Sequence, residues 1–189
     1  MPLLQILRSV ILAIAVLTAP VFSALAQNAA DDPVQAYVSV CFVPGERCFD
    51  KIVAGIKGAR SDIRVQAYGF TSTRVLDALA AAKLRGIVIE AVLDKSSLRQ
   101  RGGTSDNAPA RLTFAGIPVW IDYRPAIAHS KIIIIDQHLV IGGSANYTKA
   151  AETRNAENVL FIDSAEIAGR FLHNWEARRA ISQRYLAPE

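Results

Sequence analysis

Hydrophobic and polar positions follow two different periods along the chain, and these periods predict its elements. The segments QAYVSVCFV (35–43) and DIRVQAYGF (62–70) alternate residue by residue and are rich in β-branched or aromatic residues, which is typical of strands. Between them, CFDKIVAGIKGA (48–59) carries apolar residues at helical spacing. The nearly continuous apolar run IVIEAVLD (87–94) predicts a strand inside a sheet.

The second half of the chain continues this alternation after one interruption. The polar, basic and glycine-rich stretch 95–110 predicts a loop, or a short helix followed by a loop, and 111–123 a helix end, a glycine turn and a strand. We expect another strand at 156–164 and an amphipathic helix at 164–182, capped by Ser164. Strands that alternate with helices predict an α/β fold in which a mixed β-sheet is sandwiched between helical layers.

Polar side chains gather at the ends of two apolar runs in the segment AHSKIIIIDQHLVIGGSANYT (128–148). His129 and Lys131 are two residues apart and share one face of the predicted strand, whereas Asp136 has the opposite parity and lies at its far end. If the two apolar runs pair as neighbouring strands, Ser144 and Asn146 meet His129 and Lys131. A cation and neutral donors can bind the oxygens of a tetrahedral phosphate, and an imidazole can act as nucleophile or carry a proton.

The same residues carry a family resemblance. The pattern is His129-x-Lys131, four residues, Asp136, six residues, and then Gly143-Ser144-x-Asn146. It resembles the HKD motif of the phospholipase D superfamily. GFTS (69–72) and ETRNAENVLFI (152–162) resemble the corresponding stretches of small, exported, single-motif bacterial endonucleases of the Nuc type. The resemblance covers roughly residues 35–180 and implies the phospholipase D/nuclease fold.

The resemblance also implies a mechanism and a partner. His129 of one subunit would attack phosphorus to give a phosphohistidine, and His129 of a second subunit would protonate the leaving oxygen. Lys131 and Asn146 would hold the non-bridging oxygens with help from Ser144, and Glu157 matches the acidic residue that orients the imidazole. The family needs no metal or other cofactor. Because the motif occurs once in this chain, the resemblance implies a homodimer that completes the active site.

The substrate class stays open between two phosphodiesters. The formal net charge of +4 fits a polyanionic partner such as nucleic acid, and Arg99, Arg101 and Arg111 lie in or beside the basic loop. A non-specific endonuclease acting on DNA or RNA is therefore the first interpretation. Phospholipid head-group hydrolysis by a phospholipase D is the alternative, because the same chemistry serves both.

Structural interpretations remain for several of these residues. Ser144 could cap the segment that follows it, and Glu157 could pair with Arg154. Asp136 is expected to be structural and His138 incidental, since strand geometry separates both from His129. A non-catalytic protein that binds nucleic acid or the cell envelope is the remaining alternative.

The N-terminus has the layout of a secretory signal peptide. Arg8 precedes the apolar run 10–19, and Ala24-Leu25-Ala26 is a small-x-small cleavage site, so we expect residues 1–26 to be removed. An uncleaved membrane anchor is the alternative, although the run is shorter than the ~20 residues that a span needs. The mature domain would then be 27–189, periplasmic or secreted, without a membrane span. Two cysteines, Cys41 and Cys48, flank a Pro-Gly turn and are a candidate disulfide in an oxidising compartment.

Overall fold

The sheet carries the architecture of the molecule. The structure is a computed structural model, and it describes residues 33–99 and 106–187. Within those ranges, eight strands form one mixed sheet in the order β1-β7-β6-β5-β2-β3-β4-β8. The strands are β1 (Tyr37–Val43), β2 (Asp62–Ala67), β3 (Val88–Asp94), β4 (Val119–Asp122), β5 (Lys131–Ile135), β6 (Leu139–Gly143), β7 (Glu157–Asp163) and β8 (Gln183–Arg184).

Helices cover both faces of this sheet, as predicted for the α/β class. The described helices are α1 (Cys48–Gly58), α2 (Thr73–Leu84), a 3-10 turn (Lys95–Arg99), α3 (Ala108–Phe114), α4 (Lys149–Thr153) and α5 (Ala165–Ala180). A large apolar core joins one face of the sheet to α1 and α2. A smaller cluster lies under α5 on the opposite face. Trp175 of α5 is buried there, and its Nε1 donates to the main-chain oxygen of Val65 at 2.8 Å.

Strand directions bring several strand ends to one edge of the sheet. β2, β3 and β4 are parallel to one another, and β5 runs antiparallel to β2. β5, β6, β7 and β1 are then successively antiparallel. The ends of β1, β2, β3, β4 and β6 therefore meet the starts of β5 and β7, and we call this side of the sheet the site edge.

Two segments differ from the sequence-based expectation. Residues 108–110, expected in a loop, begin α3, because the Asn107 side chain accepts a hydrogen bond from the Ala110 N–H at 3.0 Å and Pro109 fits the first turn. The two-residue strand β8 was not expected at all, and it forms by antiparallel pairing with β4. The Ser164 cap is confirmed, since its side chain accepts from the Ile167 N–H.

Two features from the N-terminal part of the sequence remain to be placed. The predicted signal peptide at 1–26 lies outside the described residues. Cys41 and Cys48 are joined in a disulfide, with their Cα atoms 5.6 Å apart, which connects the end of β1 to the first residue of α1. Among residues 33–99 and 106–187, no helix is both long and apolar enough to cross a bilayer.

Candidate active site

A hairpin of β5 and β6 positions the motif residues. The two strands pair antiparallel, with Ile133 opposite Ile141 and Ile135 opposite Leu139. In the three residues between the strands, Asp136 and Gln137 have φ of 52° and 54°, the left-handed conformation that tight hairpin turns favour. The open end of the hairpin lies at the site edge, so the residues before β5 and those after β6 come together there.

Lys131 is the buried cation of the site. It is only 7% exposed, and its Nζ donates to the main-chain oxygen of His129 at 2.7 Å. The Nζ also lies 5.7 Å from the centroid of the Tyr68 ring. Burial lowers the pKa of Lys131, while the nearby Glu157 carboxylate acts in the opposite direction and raises it. The ammonium group is thus held in one position against the main chain of His129.

His129 is exposed and stands against an aromatic ring. The imidazole and the Tyr68 ring have centroids 4.7 Å apart and an interplanar angle of 60°. Main-chain contacts fix the same pair, because the Tyr68 N–H donates to the Ser130 oxygen at 3.0 Å. One face of the imidazole therefore rests on Tyr68 while the ring remains accessible to a substrate.

Buried polar contacts hold the segment that leads into His129. Asp94, at the end of β3, is 2% exposed and accepts from the Ala128 N–H at 2.7 Å. Lys95 donates from Nζ to the Pro125 oxygen at 2.9 Å. Burial raises the pKa of Asp94, but its hydrogen bonds from Ser96 and Ala128 outweigh burial, so the pKa is lowered overall and the carboxylate stays charged.

Asn146 is held by the turn that follows β2. Its Oδ1 accepts from the Gly69 N–H at 3.3 Å, so the side-chain NH2 group has donors to offer to a ligand. A Cβ atom at position 69 would lie 3.1 Å from both Cβ and Cγ of Asn146. The absence of a side chain at Gly69 therefore allows the amide to lie close to the main chain.

Ser144 and Glu157 form a hydrogen-bonded pair next to Asn146. The Ser144 hydroxyl donates to Glu157 Oε2 at 2.6 Å and accepts from the Asn158 N–H at 3.0 Å. Glu157 Oε1 accepts from Asn155 Nδ2 at 3.0 Å. In the described chain, the carboxylate of Glu157 thus contacts Ser144 and Asn155 rather than Arg154, the partner that a purely structural interpretation suggested. Its predicted role in orienting the imidazole remains a prediction.

The other polar residues of the segment lie away from this group. Asp136 is at the closed end of the hairpin, where its carboxylate accepts from the backbone N–H groups of Arg60, Ser61 and Asp62 and from the Ser61 hydroxyl. His138 forms an exposed pair with Asp163. The structure therefore places both residues outside the site.

Of the arginines near the 95–110 stretch, the structure describes Arg99 and Arg111. Arg111 pairs with Asp77 at 2.7 Å, and Arg99 is exposed at the end of the 3-10 turn. Arg101 lies outside the described residues. Within the described ranges, no group of three or more His, Cys, Asp or Glu residues is arranged to hold a metal ion.

Sequence reasoning missed the supporting residues Tyr68 and Asp94. Tyr68 directly follows β2 and Asp94 is the last residue of β3, and the two strands are parallel, so the signal was a polar or aromatic residue near the carboxyl end of a predicted strand. The local pattern does not predict that β5 lies next to β2, and this strand order brings Tyr68 against His129.

Comparisons with known proteins place this site in a family. The family model described as "Cardiolipin synthase, PLD-like domain" matches residues 52–178. A protein named phospholipase D from Rickettsia bellii is 43% identical over 143 residues, which are 76% of this chain and 69% of that protein. The human mitochondrial cardiolipin hydrolase is 29% identical over 72% of this chain and 53% of its own length.

A solved structure agrees in fold and nearly in length. Nuc from Salmonella typhimurium, described as a phospholipase D family member, superposes with a TM-score of 0.75 at 34% identity, covering 80% of this chain and 99% of that one. The matched region contains the hairpin and the residues around it. The chain belongs to the phospholipase D superfamily and is a phosphodiester hydrolase of that superfamily.

Proposed function

We propose that the protein is a non-specific endonuclease that hydrolyses phosphodiester bonds of DNA or RNA through a phosphohistidine and without a metal ion. The observation that carries this proposal is the grouping of His129, Lys131 and Asn146 at the open end of the β5–β6 hairpin. The likeness to Nuc over nearly its whole length and the net charge of +4 support nucleic acid as the substrate.

His129 is the nucleophile in this proposal. A neutral ring nitrogen attacks phosphorus, a P–N bond forms, and the P–O bond to the leaving oxygen breaks. A second histidine donates a proton to that oxygen and afterwards removes one from water. The activated water attacks phosphorus, the P–N bond breaks and His129 is regenerated.

Lys131 and Asn146 stabilise the charge that develops on phosphorus. The Lys131 ammonium and the Asn146 NH2 group donate to the two non-bridging oxygens. The Tyr68 ring lies beside the Lys131 ammonium, and the Gly69 N–H holds the Asn146 side chain, through the contacts described above. Little reorganisation is then needed when the substrate binds.

The second histidine comes from a second copy of the chain. His129 is the only histidine that the described structure places at the site edge among Lys131 and Asn146, because His138 is at the closed end of the hairpin and His173 is on α5. The proposed reaction needs a proton donor as well as a nucleophile, so we infer a homodimer that brings two His129 side chains together.

A phospholipase D is the second candidate function. The observation in its favour is that the Rickettsia bellii protein with this name is 43% identical, compared with 34% for Nuc. The groups around His129 recognise a phosphodiester and not the alcohol on either side of it, so they suit both substrates.

One experiment distinguishes these candidates. Purified protein is incubated with EDTA and either plasmid DNA, RNA or phosphatidylcholine vesicles, and strand cleavage and choline release are measured. We expect nucleic-acid cleavage that His129→Ala abolishes while binding is retained. Choline release with intact nucleic acid would replace the endonuclease proposal by phospholipase D. Binding of nucleic acid or vesicles without hydrolysis of either, equal in the natural chain and His129→Ala, would indicate a non-catalytic protein. Loss of cleavage in EDTA would contradict the metal-independent step.

A further inference from the structure

A connecting segment crosses the site edge from β4 to β5. In the sheet, β2 and β3 lie between these two strands, so residues 123–128 (YRPAIA) pass the ends of both before they reach His129. We call these residues the β4–β5 segment. Because neighbouring strands are about 4.8 Å apart, the segment extends over roughly 14 Å of the site edge. Ligand groups that it contacts therefore lie beside the phosphate site rather than within it.

Buried and partly buried side chains hold the main chain of this segment. Asp122, the last residue of β4, is fully buried and accepts from the Arg124 N–H at 3.1 Å. Its carboxylate is held in turn by Arg178 of α5, whose Nε donates to it at 2.8 Å. Asp94 and Lys95 hold the other half of the segment through the hydrogen bonds described above. The main chain is thus fixed before a ligand binds, and little ordering is required on binding.

The side chains of the β4–β5 segment, in contrast, reach into solvent. Tyr123 is 43% exposed, Ile127 is 53% exposed, and Arg124 is exposed as well. An apolar side chain in such a position contributes less to stability than one in the core, because much of its surface stays in contact with water. A fixed main chain that presents an aromatic ring and a guanidinium beside the nucleophile is typical of a segment that binds a ligand.

We propose that the β4–β5 segment binds the nucleotides next to the scissile phosphate, with the Tyr123 ring stacked on a nucleobase and the Arg124 guanidinium bound to a phosphate. This inference rests on the proposed function, in which the substrate is nucleic acid. Every nucleobase has a face that can stack on an aromatic ring, and a guanidinium donates to any phosphate. Contacts of this kind fit an enzyme that cuts without sequence preference.

The composition of the segment favours nucleic acid over a lipid surface. Binding to a bilayer becomes stronger with the apolar area that is buried in it, so a docking surface needs a broad apolar face. The large apolar side chains of the β4–β5 segment are Tyr123 and Ile127, and Arg124 lies between them in the sequence. A single ring next to a single cation is instead the combination that binds the base and the phosphate of a nucleotide.

A ligand without bases tests the stacking directly. One ligand is a single-stranded oligothymidylate of about eight nucleotides, and the other is an abasic chain of the same length, which keeps every phosphate. Fluorescence anisotropy measures both affinities with the full chain carrying His129→Ala, so that neither ligand is cleaved. Tyr123→Ala, Tyr123→Leu, Tyr123→Phe and Arg124→Gln are each added to this chain. Tyr37→Ala is the matched control, because Tyr37 is 86% exposed at the start of β1, on the side of the sheet opposite to the site edge.

We expect the chain that keeps Tyr123 to bind the oligothymidylate about 10-fold or more tightly than the abasic chain. Tyr123→Ala should remove most of this preference, and so should Tyr123→Leu, which keeps apolar bulk but has no flat face. Tyr123→Phe and Tyr37→Ala should retain it. Arg124→Gln should weaken both ligands equally and reduce the slope of log affinity against log salt concentration by about 0.7, as expected for one phosphate contact of a single strand.

Two results would overturn the proposal. One is a base preference that survives both Tyr123→Ala and Tyr123→Leu, or that Tyr37→Ala removes equally. The other is a chain that binds vesicles of phosphatidylcholine and phosphatidylglycerol but not the oligothymidylate, and loses vesicle binding in Tyr123→Ala, because the segment would then dock to lipid. Circular dichroism checks that each variant is folded, and Tyr123→Leu decides the matter if Tyr123→Ala does not fold.

Cleavage by chains that keep His129 separates this proposal from the proposed function. Tyr123→Ala should raise KM for the oligothymidylate by about 10-fold and change kcat less, since the ring contacts the bound nucleotide and not the reacting atoms. A base preference that depends on Tyr123, without cleavage of the oligothymidylate, would uphold the subsite and contradict the proposed function. Cleavage with a KM that Tyr123→Ala leaves unchanged would uphold the proposed function and overturn the subsite.

Discussion

Lys131 and Glu157 influence each other's role through charge rather than direct contact. Burial lowers the pKa of Lys131, and the Glu157 carboxylate, fixed by Ser144 and Asn155, raises it. A protonated Lys131 is the form that can hold a phosphate oxygen. The position of Glu157 therefore bears on the alkaline limit of activity.

Glu157→Gln should shift the alkaline limb of the rate profile to lower pH. Removal of the carboxylate removes the charge that raises the pKa of Lys131, so the lysine loses its proton at a lower pH than in the natural chain. The measurement is kcat/KM for bis-p-nitrophenyl phosphate between neutral and alkaline pH. Ser144→Ala is the matched control, because it removes the hydrogen bond to Glu157 but keeps the charge. An equal shift in both variants would contradict the electrostatic explanation.

Tyr68 supports His129 with its ring. Tyr68→Ala removes the surface 4.7 Å from the imidazole and should lower kcat by about 10- to 100-fold, since a displaced nucleophile loses its alignment. Tyr68→Phe keeps the ring and should retain most of the activity. The pH dependence of kcat is measured for both, because a structural defect alone would lower the active fraction without moving the profile. Equal losses in the two variants would instead assign the role to the hydroxyl group.

At the scale of elements, Asp136 joins the closed end of the hairpin to the connection between α1 and β2. Its carboxylate accepts hydrogen bonds from the backbone N–H groups of Arg60, Ser61 and Asp62. The sequence predicted a structural role for Asp136, because it lies on the opposite strand face from His129. Burial raises the pKa of Asp136, but the hydrogen bonds from Ser61, Arg60 and Asp62 together lower it below the ordinary 3.8. The motif aspartate thus fixes the hairpin from the end opposite to the chemistry.

Asp136→Ala should lower the free energy of unfolding by about 2–3 kcal/mol, because several N–H donors lose a charged acceptor. The stabilisation by Asp136 is present above the unfolded pKa and disappears as the pH falls through the lower folded pKa. Urea unfolding should therefore show a difference at neutral pH that shrinks below about pH 4. His138→Ala, which removes only an exposed pair, should change stability by less than about 1 kcal/mol. A difference that persists unchanged in acid would contradict this assignment.

Gly143 ends β6 in a conformation that other residues rarely adopt. Its φ is 143°, and a Cβ atom would lie 2.4 Å from the Asn158 main-chain oxygen. Gly143→Ala should destabilise the fold by about 3 kcal/mol or more, as measured by thermal unfolding. Gly58→Ala is the control, since a Cβ atom there meets nothing within 4 Å. A small effect at Gly143 would mean that β6 and β7 can separate without cost.

Periodicity predicted most helices and strands but not which strands lie next to each other in the sheet. The alternation of 35–43, the apolar run of 87–94 and the Ser164 cap each correspond to an element in the structure, because local spacing determines which face of a strand or helix is buried. The start of α3 was assigned to a loop because the polar stretch before it hid the Asn107 cap. β8 was missed because two residues gain their strand conformation only from pairing with β4.

The candidate site was predictable to the extent that it lies in one hairpin. His129, Lys131, Ser144 and Asn146 are close in sequence, and the β5–β6 pairing brings them to one end. The contacts of Asn146 with Gly69 and of His129 with Tyr68 depend on β5 lying beside β2, which is a property of strand order rather than of local pattern.

At the scale of the whole molecule, the single motif per chain determines the activity expected of dimers that mix the natural chain with an inactive variant. If each reaction uses His129 from two copies, a dimer with one His129→Ala chain lacks either the nucleophile or the proton donor for every orientation of the substrate. Such mixed dimers should be inactive even though they contain a complete natural chain. Independent sites would leave each natural chain active in any dimer.

Equal amounts of the natural chain and His129→Ala, exchanged to equilibrium, should retain about a quarter of the activity of the same total amount of natural protein, since random pairing leaves about one dimer in four without a substituted chain. Bis-p-nitrophenyl phosphate hydrolysis measures the fraction, and sedimentation confirms that all species are dimers. Half of the activity in the mixture with His129→Ala would show that each chain carries a self-sufficient site, and the second histidine would then have to be replaced in the mechanism by water.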